Sequence, residues 1–131
     1  MARRQPMILD TCAVLWLAAG GGRLSKMTLR RINEAAALYV SSISAFEIAL
    51  KSGKGALELP QSPEEWFERF ADHHGVLILP LDFHICVTAA QLPPFHNDAC
   101  DRFIIATAQV NEMPVVTADE RFERYGVEVL Q

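Results

Sequence analysis

Met7-Ile8-Leu9-Asp10-Thr11 is the stretch on which the fold reading turns. Three consecutive apolar residues end on a carboxylate and a hydroxyl. A run that short, apolar on every residue, suits a strand covered on both faces of a parallel sheet. The residues after it, Cys12 to Ala18, carry a helical pattern that Thr11 is placed to cap.

The same alternation continues outward. Ser25 caps an expected helix running to about Ala37, and Leu38-Tyr39-Val40-Ser41 is the second strand. Ser44 is the expected cap of a helix from Ala45 to about Ser52, ended by Gly53 and Gly55. Ser62-Pro63-Glu64-Glu65 opens a helix to about His73, with Pro in its first turn. Val76 to Leu79 is the third strand, and Asp82 caps a helix from Phe83 to Ala90. A helix beginning at Asn97 or Asp98 reaches Asn111, Pro114 to Thr117 is the fourth strand, Asp119 opens a short helix to Tyr125, and Val127 to Leu130 is the fifth strand. Strands alternating with helices predict an α/β domain with a mostly parallel sheet. Ala18-Ala19-Gly20-Gly21-Gly22 reads as a loop inside that domain, and no repeat or low-complexity segment interrupts it.

Composition sets the limits. The chain has 131 residues, 50 % of them apolar and 21 % charged, which suits one compact domain spanning 1–131. No apolar run approaches the roughly 18–20 residues of a membrane span. The basic N-terminal stretch is followed by an apolar run that Asp10 cuts short, which is no signal-peptide core, so a cytoplasmic location is expected. Cys12, Cys86 and Cys100 are odd in number and unpaired by spacing, and read as free, mostly buried thiols. The net charge of −4 argues against a simple nucleic-acid clamp, which would be basic. It leaves room for an enzyme that holds nucleic acid through metal ions.

Carboxylates stand out by context. Asp10 ends a strand. Glu47 interrupts the apolar run around Phe46 and Ile48. Asp98 and Asp101 share one helix face at i,i+3, and Asp119 follows Val115-Val116-Thr117-Ala118. Two carboxylates at about 4 Å repel by roughly 4 kcal/mol at an effective dielectric near 20. More of them at one sheet mouth call for a cation, and hard oxygen ligands favour Mg²⁺ or Mn²⁺. Each acid also has a plain structural role open to it: Asp10 and Asp119 as caps, Asp98 and Asp101 as a solvated helix start, Glu47 as the partner of Lys51 at i,i+4. From spacing alone both readings stand.

Taken together, Ile8-Leu9-Asp10-Thr11, Ser44-Ala45-Phe46-Glu47-Ile48-Ala49, Asp98-Ala99-Cys100-Asp101-Arg102-Phe103-Ile104-Ile105-Ala106 and Val116-Thr117-Ala118-Asp119 resemble, in order and spacing, the four acidic motifs of PIN-domain ribonucleases. The likeness covers nearly the whole chain and is nearest to the VapC-type toxins of toxin–antitoxin pairs. It implies a Rossmann-like three-layer α/β/α sandwich and a Mg²⁺- or Mn²⁺-dependent endoribonuclease that stops translation by cutting RNA, transfer RNA among the candidate targets. By motif, Asp10, Glu47, Asp101 and Asp119 correspond to the catalytic quartet. Asp10, Asp98, Asp101 and Asp119 are the implied metal ligands, with Thr117 a hydroxyl near the metal. Ala99-Cys100 stands where the family more often has Pro-Phe. The resemblance also implies a homodimer and a cognate antitoxin whose tail lies in the toxin groove. Outside this family reading stand a PIN-like binding module with the acids as caps, and a metal-dependent phosphatase or DNA nuclease using the same acids.

Other residues read more plainly. Arg102 is expected in a structural ion pair, His96 in a turn, and His73-His74 at a helix end where their charge suits the dipole. Lys51, Lys54, Lys26, Arg30 and Arg31 offer a basic rim, set against a solvated surface for the arginine pair. Trp16 is expected in the core or an interface, and Trp66 packed in a groove.

Overall fold

The computed structural model describes residues 4–131. Met1–Arg3, the start of the basic stretch and of the expected domain, lie outside the described residues.

In chain order the elements are β1 (Pro6–Leu9), α1 (Thr11–Ala18), α2 (Lys26–Asn33), β2 (Ala37–Ser41), α3 (Ser42–Gly53), α4 (Pro63–His74), β3 (Val76–Leu79), α5 (Phe83–Gln91), α6 (Ala99–Asn111), β4 (Val115–Val116), a 3₁₀ helix (Glu120–Tyr125) and β5 (Val129–Leu130). The five strands form one sheet in the order β3-β2-β1-β4-β5, and every neighbouring pair is parallel. The order reverses between β1 and β4, because β2 and β3 extend the sheet one way and β4 and β5 the other. In sheets of this kind the crevice beyond the carboxyl ends of the strands at that reversal is where sites form.

Alternation along each strand builds the two flanking layers. Met7 and Leu9 of β1 and Leu38 and Val40 of β2 pack with Val14, Leu17, Phe67 and Phe70 on one side. Ile8 and Val115 pack with Ile104, Ile105, Ala108 and Phe122 on the other. β1 is central, so Met7, Ile8 and Leu9 are all 2 % exposed or less. The expected α/β architecture with a central parallel sheet is therefore present, and the sheet is parallel throughout.

Several boundaries differ from the sequence reading, each through a competing hydrogen bond. α1 is capped by Asp10 and not by Thr11: Asp10 Oδ1 accepts the Ala13 N–H at 2.8 Å. Thr11 becomes the first helical residue, and its hydroxyl shares a 2.9 Å hydrogen bond with that of Ser44. α3 starts directly at the end of β2 with Ser41 as its cap, so Ser44 is a buried interior residue and not the cap. α2 keeps the expected Ser25 cap but ends at Asn33. β5 is confined to Val129 and Leu130. The thiols are also less buried than expected: Cys12 is exposed, and Cys86 and Cys100 are half-buried. Trp66 lies against the core, stacked on Phe70 with ring centroids 5.6 Å apart, and Trp16 packs on the same cluster half-buried. His73 and His74 close α4 ahead of the left-handed Gly75, as expected.

Candidate active site

The acids predicted from sequence converge on the reversal point of the sheet. Asp10 follows β1 by one residue, Thr117 follows β4 by one, and Asp119 lies two further on. α3 leaves the end of β2 and carries Glu47. α6 begins beside them, with Asp98 as its cap and Asp101 in its first turn.

Both roles open to these acids are occupied at once. Asp10, Asp98 and Asp119 each cap a helix with one oxygen, Asp98 Oδ1 taking the Asp101 N–H at 3.1 Å and Asp119 Oδ1 the Arg121 N–H at 3.0 Å. Capping fixes a carboxylate's direction through a backbone bond that engages only one of its two oxygens. Thr117 is fully buried, and its hydroxyl accepts the Asp119 N–H at 3.0 Å. It also lies beside the Asp10 carboxylate.

Crowding shows in the acidities. Burial pushes the Asp10 carboxyl up; the Thr117 hydroxyl and the Ala13 N–H pull against it, and the charges of Asp119 and Glu47 add to the rise. Asp101 is raised to about 7, by burial first and then by the charges of Asp98, Asp10, Glu47 and Asp119. Asp119 goes the other way, to about 2, chiefly through hydrogen bonding by Arg121. That guanidinium forks onto the carboxylate, Nε to Oδ1 at 3.0 Å and an Nη to Oδ2 at 2.8 Å.

Glu47 is the fifth acid. Lys51 sits on its Oε2 at 3.3 Å, the i,i+4 contact expected from sequence. Its Oε1 is buried with no hydrogen-bond partner among the described residues. An ionised carboxylate oxygen withdrawn from water and left unpaired is strongly disfavoured. Together with mutually repelling oxygen donors at the strand ends, this donor set fits a hard divalent cation.

His96 is more than a turn residue. It is buried, its Nδ1 accepts the Asp98 N–H at 3.1 Å, and Nε2 therefore carries the proton in the neutral ring. Nε2 lies 2.9 Å from Asp101 Oδ2 and 3.0 Å from Asp119 Oδ2. One N–H thus ties two repelling carboxylates together, which makes His96 a positioning group and not a metal ligand in this arrangement. Its sequence signal is weak, since only its place two residues before Asp98 marks it. Arg121 was equally hard to find, being one base in a run of mixed charge.

Arg102 has the structural role expected, with different partners. Among the described residues it makes no ion pair; its guanidinium donates to the carbonyls of Ala89, Ala90, Leu92, Pro93 and His96. That clamp holds the loop before α6, and so His96 and Asp98, against the helix. Two members of the expected basic rim have defined partners. Lys51 meets Glu47 at the edge of the site, whereas Arg31 pairs with Glu128 at 3.4 Å on the exposed surface.

Comparison with known proteins agrees with this geometry. A model of the PIN domain family matches residues 7–128. Ribonuclease VapC22 of Mycobacterium tuberculosis (strain ATCC 25618 / H37Rv) is 31 % identical over 120 residues, which is 91 % of each chain. Among solved structures, VapBC2 from Rickettsia felis bound to a DNA fragment from its promoter superposes with a TM-score of 0.72 at 14 % identity, covering 97 % of this chain and 98 % of that one. FitAcB from Neisseria gonorrhoeae superposes at 0.65 and 23 % identity, over 95 % and 96 %. A toxin–antitoxin complex from Klebsiella pneumoniae does so at 0.64 and 17 %, over 95 % and 96 %. At these identities the structural likeness is one of fold.

Proposed function

The chain belongs to the PIN domain family, and from that premise we propose that it is a metal-dependent endoribonuclease, the toxin of a toxin–antitoxin pair, that inhibits translation by cutting RNA. A single observation carries this reading: Asp10, Asp101 and Asp119 meet at the carboxyl ends of β1 and β4 with Glu47 facing them, an acid cluster that burial and mutual repulsion hold poorly without a cation. The ribonuclease named among its relatives supports it.

Asp10 and Asp101 would hold Mg²⁺ or Mn²⁺ directly, with Asp98 and Asp119 beside them. A hard cation bound there supplies the positive charge that the scissile phosphate and the departing oxygen require. The chain does the rest. Backbone caps and the His96 N–H keep Asp10, Asp98, Asp101 and Asp119 pointing inward. Glu47 orients the attacking water and takes its proton, and the Lys51 contact fixes its side chain. Thr117 sets the direction of Asp10.

Residues 1–131 act as one PIN domain. Two copies form a homodimer, for which Phe46 and Leu50 on α3 and Phe83 and Val87 on α5 offer exposed apolar surface. A cognate antitoxin silences the site, in keeping with the toxin–antitoxin complex among the structural neighbours; a basic group of the antitoxin placed among the acids mimics the cation. No helix among the described residues is long and apolar enough to cross a membrane, and the cytoplasm, where RNA is translated, is the compartment this function needs.

The test uses purified chain and total RNA, transfer RNA included. Discrete cleavage in Mg²⁺ or Mn²⁺, absent in chelator and absent for Asp101→Asn, is the expected result. Intact RNA with folded protein and either ion contradicts it. Cleavage of DNA or release of phosphate from monoesters in place of RNA cutting moves the same acids to a different substrate.

A further inference from the structure

Asp119 is saturated with hydrogen-bond donors, most of them from one residue. Its Oδ1 accepts the Arg121 backbone N–H and the Arg121 Nε–H, each at 3.0 Å. Its Oδ2 accepts from Arg121 Nη2 at 2.8 Å and lies 3.0 Å from His96 Nε2. An ionised carboxylate offers about four lone-pair positions. All of them are taken, so Asp119 with Arg121 in place has none for a metal ion.

The guanidinium is also anchored and open at once. Arg121 stands in the 3₁₀ helix Glu120–Tyr125, and the buried Phe122 and Tyr125 tie that helix to the core. The Arg121 side chain itself is 56 % exposed, against 23 % for Asp119. Arginine carries five N–H donors in a planar fork. Nε and Nη2 spend two of them on Asp119. The end-on pair, one N–H on Nη1 and one on Nη2, has no partner among the described residues, and its spacing is the one that phosphate oxygens accept bidentately.

We infer that the Arg121 guanidinium takes the place of a second metal ion at Asp119: the site holds one divalent cation, at Asp10 and Asp101, and Arg121 supplies the other positive charge, gripping a phosphate of the RNA through its end-on N–H pair. The inference rests on the ribonuclease reading above and adds the charge arrangement to it. Two-metal sites set their ions about 3.5–4 Å apart, one for the attacking and one for the leaving oxygen. A second ion at Asp119 has to break both arms of the fork, and it meets the guanidinium's own charge. Arginine is charged at every working pH, so this half of the clamp is in place before any metal binds.

Manganese(II) is the probe, because the free ion gives a paramagnetic resonance signal that is lost on binding. The purified full chain is titrated with Mn²⁺ in the absence of RNA. Wild type is expected to take up one ion per chain and Arg121→Ala two, since the Asp119 carboxylate is then open while the backbone N–H of residue 121 still holds it. Two ions in the wild type, or one in Arg121→Ala, overturns the assignment. RNA retention is then read by gel shift in Glu47→Gln, which lacks the group that takes the water's proton and keeps the metal ligands. At Mn²⁺ that fills one site, adding Arg121→Ala is expected to weaken retention about tenfold, the loss of one charge-assisted contact. The loss is made up as the second ion enters. Arg124→Ala is the control: it removes the same charge three residues on, where the guanidinium lies over the Phe95 ring at 4.1 Å. Its smaller loss is not made up by metal. Equal losses in the two variants, or a loss in Arg121→Ala that metal does not restore, overturn the grip on phosphate. Both arginines are exposed, so neither variant threatens the fold. The two readings fail separately. A chain that counts one ion, and two without Arg121, yet cuts no RNA keeps the charge arrangement and loses the ribonuclease; a wild type that cuts RNA with two ions bound does the reverse.

Discussion

Asp10 holds the N-terminus of α1 with one oxygen and faces the site with the other. Asparagine caps a helix as well as aspartate does. Asp10→Asn is therefore expected to keep its thermal midpoint within a few degrees of wild type while RNA cutting falls at least a hundredfold. Asp10→Ala removes the cap as well and is expected to cost about 1 kcal/mol more in urea unfolding. Asp101 predicts a pH effect whose sign is unusual for a carboxylate. Its folded-state value of about 7 lies above the ordinary 3.8, so between pH 4 and 7 the folded chain holds a proton that the unfolded chain has released. Metal-free stability from this group is complete below about pH 4 and is lost as pH rises through 7. Asp119 has the opposite sign: its contribution is present above about pH 4 and is lost as pH falls toward 2. Thermal melts in chelator across pH 4–8 read the first effect directly. Asp101→Asn should flatten the slope and raise the midpoint at pH 7–8, and a divalent cation should do the same for the wild type. A flat wild-type profile contradicts the crowding account. At this scale the acids were legible in the sequence because Asp10 and Asp119 follow apolar runs, Glu47 interrupts one, and Asp98 and Asp101 share a helix face ahead of another. His96 was not, because nothing local distinguishes a histidine that turns a loop from one that also bridges two carboxylates brought in from α6 and from beyond β4.

The elements show where local reading succeeds and where tertiary contacts take over. Met7-Ile8-Leu9 announced a buried central strand, and Ser25, Ser62 and Asp82 announced the helices they cap. α3 was misjudged at its start because three serines, Ser41, Ser42 and Ser44, all qualify as caps; which one serves depends on where β2 ends, and pairing with β1 and β3 sets that. Ser44 is drawn inside by the Thr11 hydroxyl, a contact 33 residues away in sequence that no local pattern encodes. The loop before α6 offers the sharpest element-scale prediction. Arg102 gathers five carbonyls from residues 89–96, and charged hydrogen bonds contribute about 1.5–3 kcal/mol apiece where buried, less where exposed. Arg102→Ala should destabilise the chain by about 2–3 kcal/mol in urea unfolding and weaken Mg²⁺ binding, since the clamp carries His96 and Asp98. Arg102→Lys should recover little, because one ammonium does not replace a planar fork. Wild-type stability in Arg102→Ala would show that the loop holds itself.

For the whole molecule, charge and fold point in the same direction. The chain is acidic overall, at −4, and five carboxylates gather at the site, so a polyanion approaches it only when a cation is in place. RNA retention by the folded chain should therefore be undetectable in chelator and appear with Mg²⁺ or Mn²⁺, as read by gel shift with the cleavage-deficient Asp10→Asn at high metal. Retention in chelator would point to a basic surface elsewhere. The parallel sheet, with its reversal between β1 and β4, is what brings residue 10 and residues 117–119 to one place; alternation of strand and helix predicts the parallel sheet, whereas the strand order is set by tertiary packing. The central claim, that these acids make an RNA-cutting toxin, is tested most directly in growing cells. Wild type and Asp101→Asn are expressed from an inducible promoter and the new RNA 5′ ends are sequenced. Growth arrest with discrete new ends from the wild type alone is the predicted result. Arrest by both proteins with no new ends would contradict it, because the effect would then come from binding and not from hydrolysis.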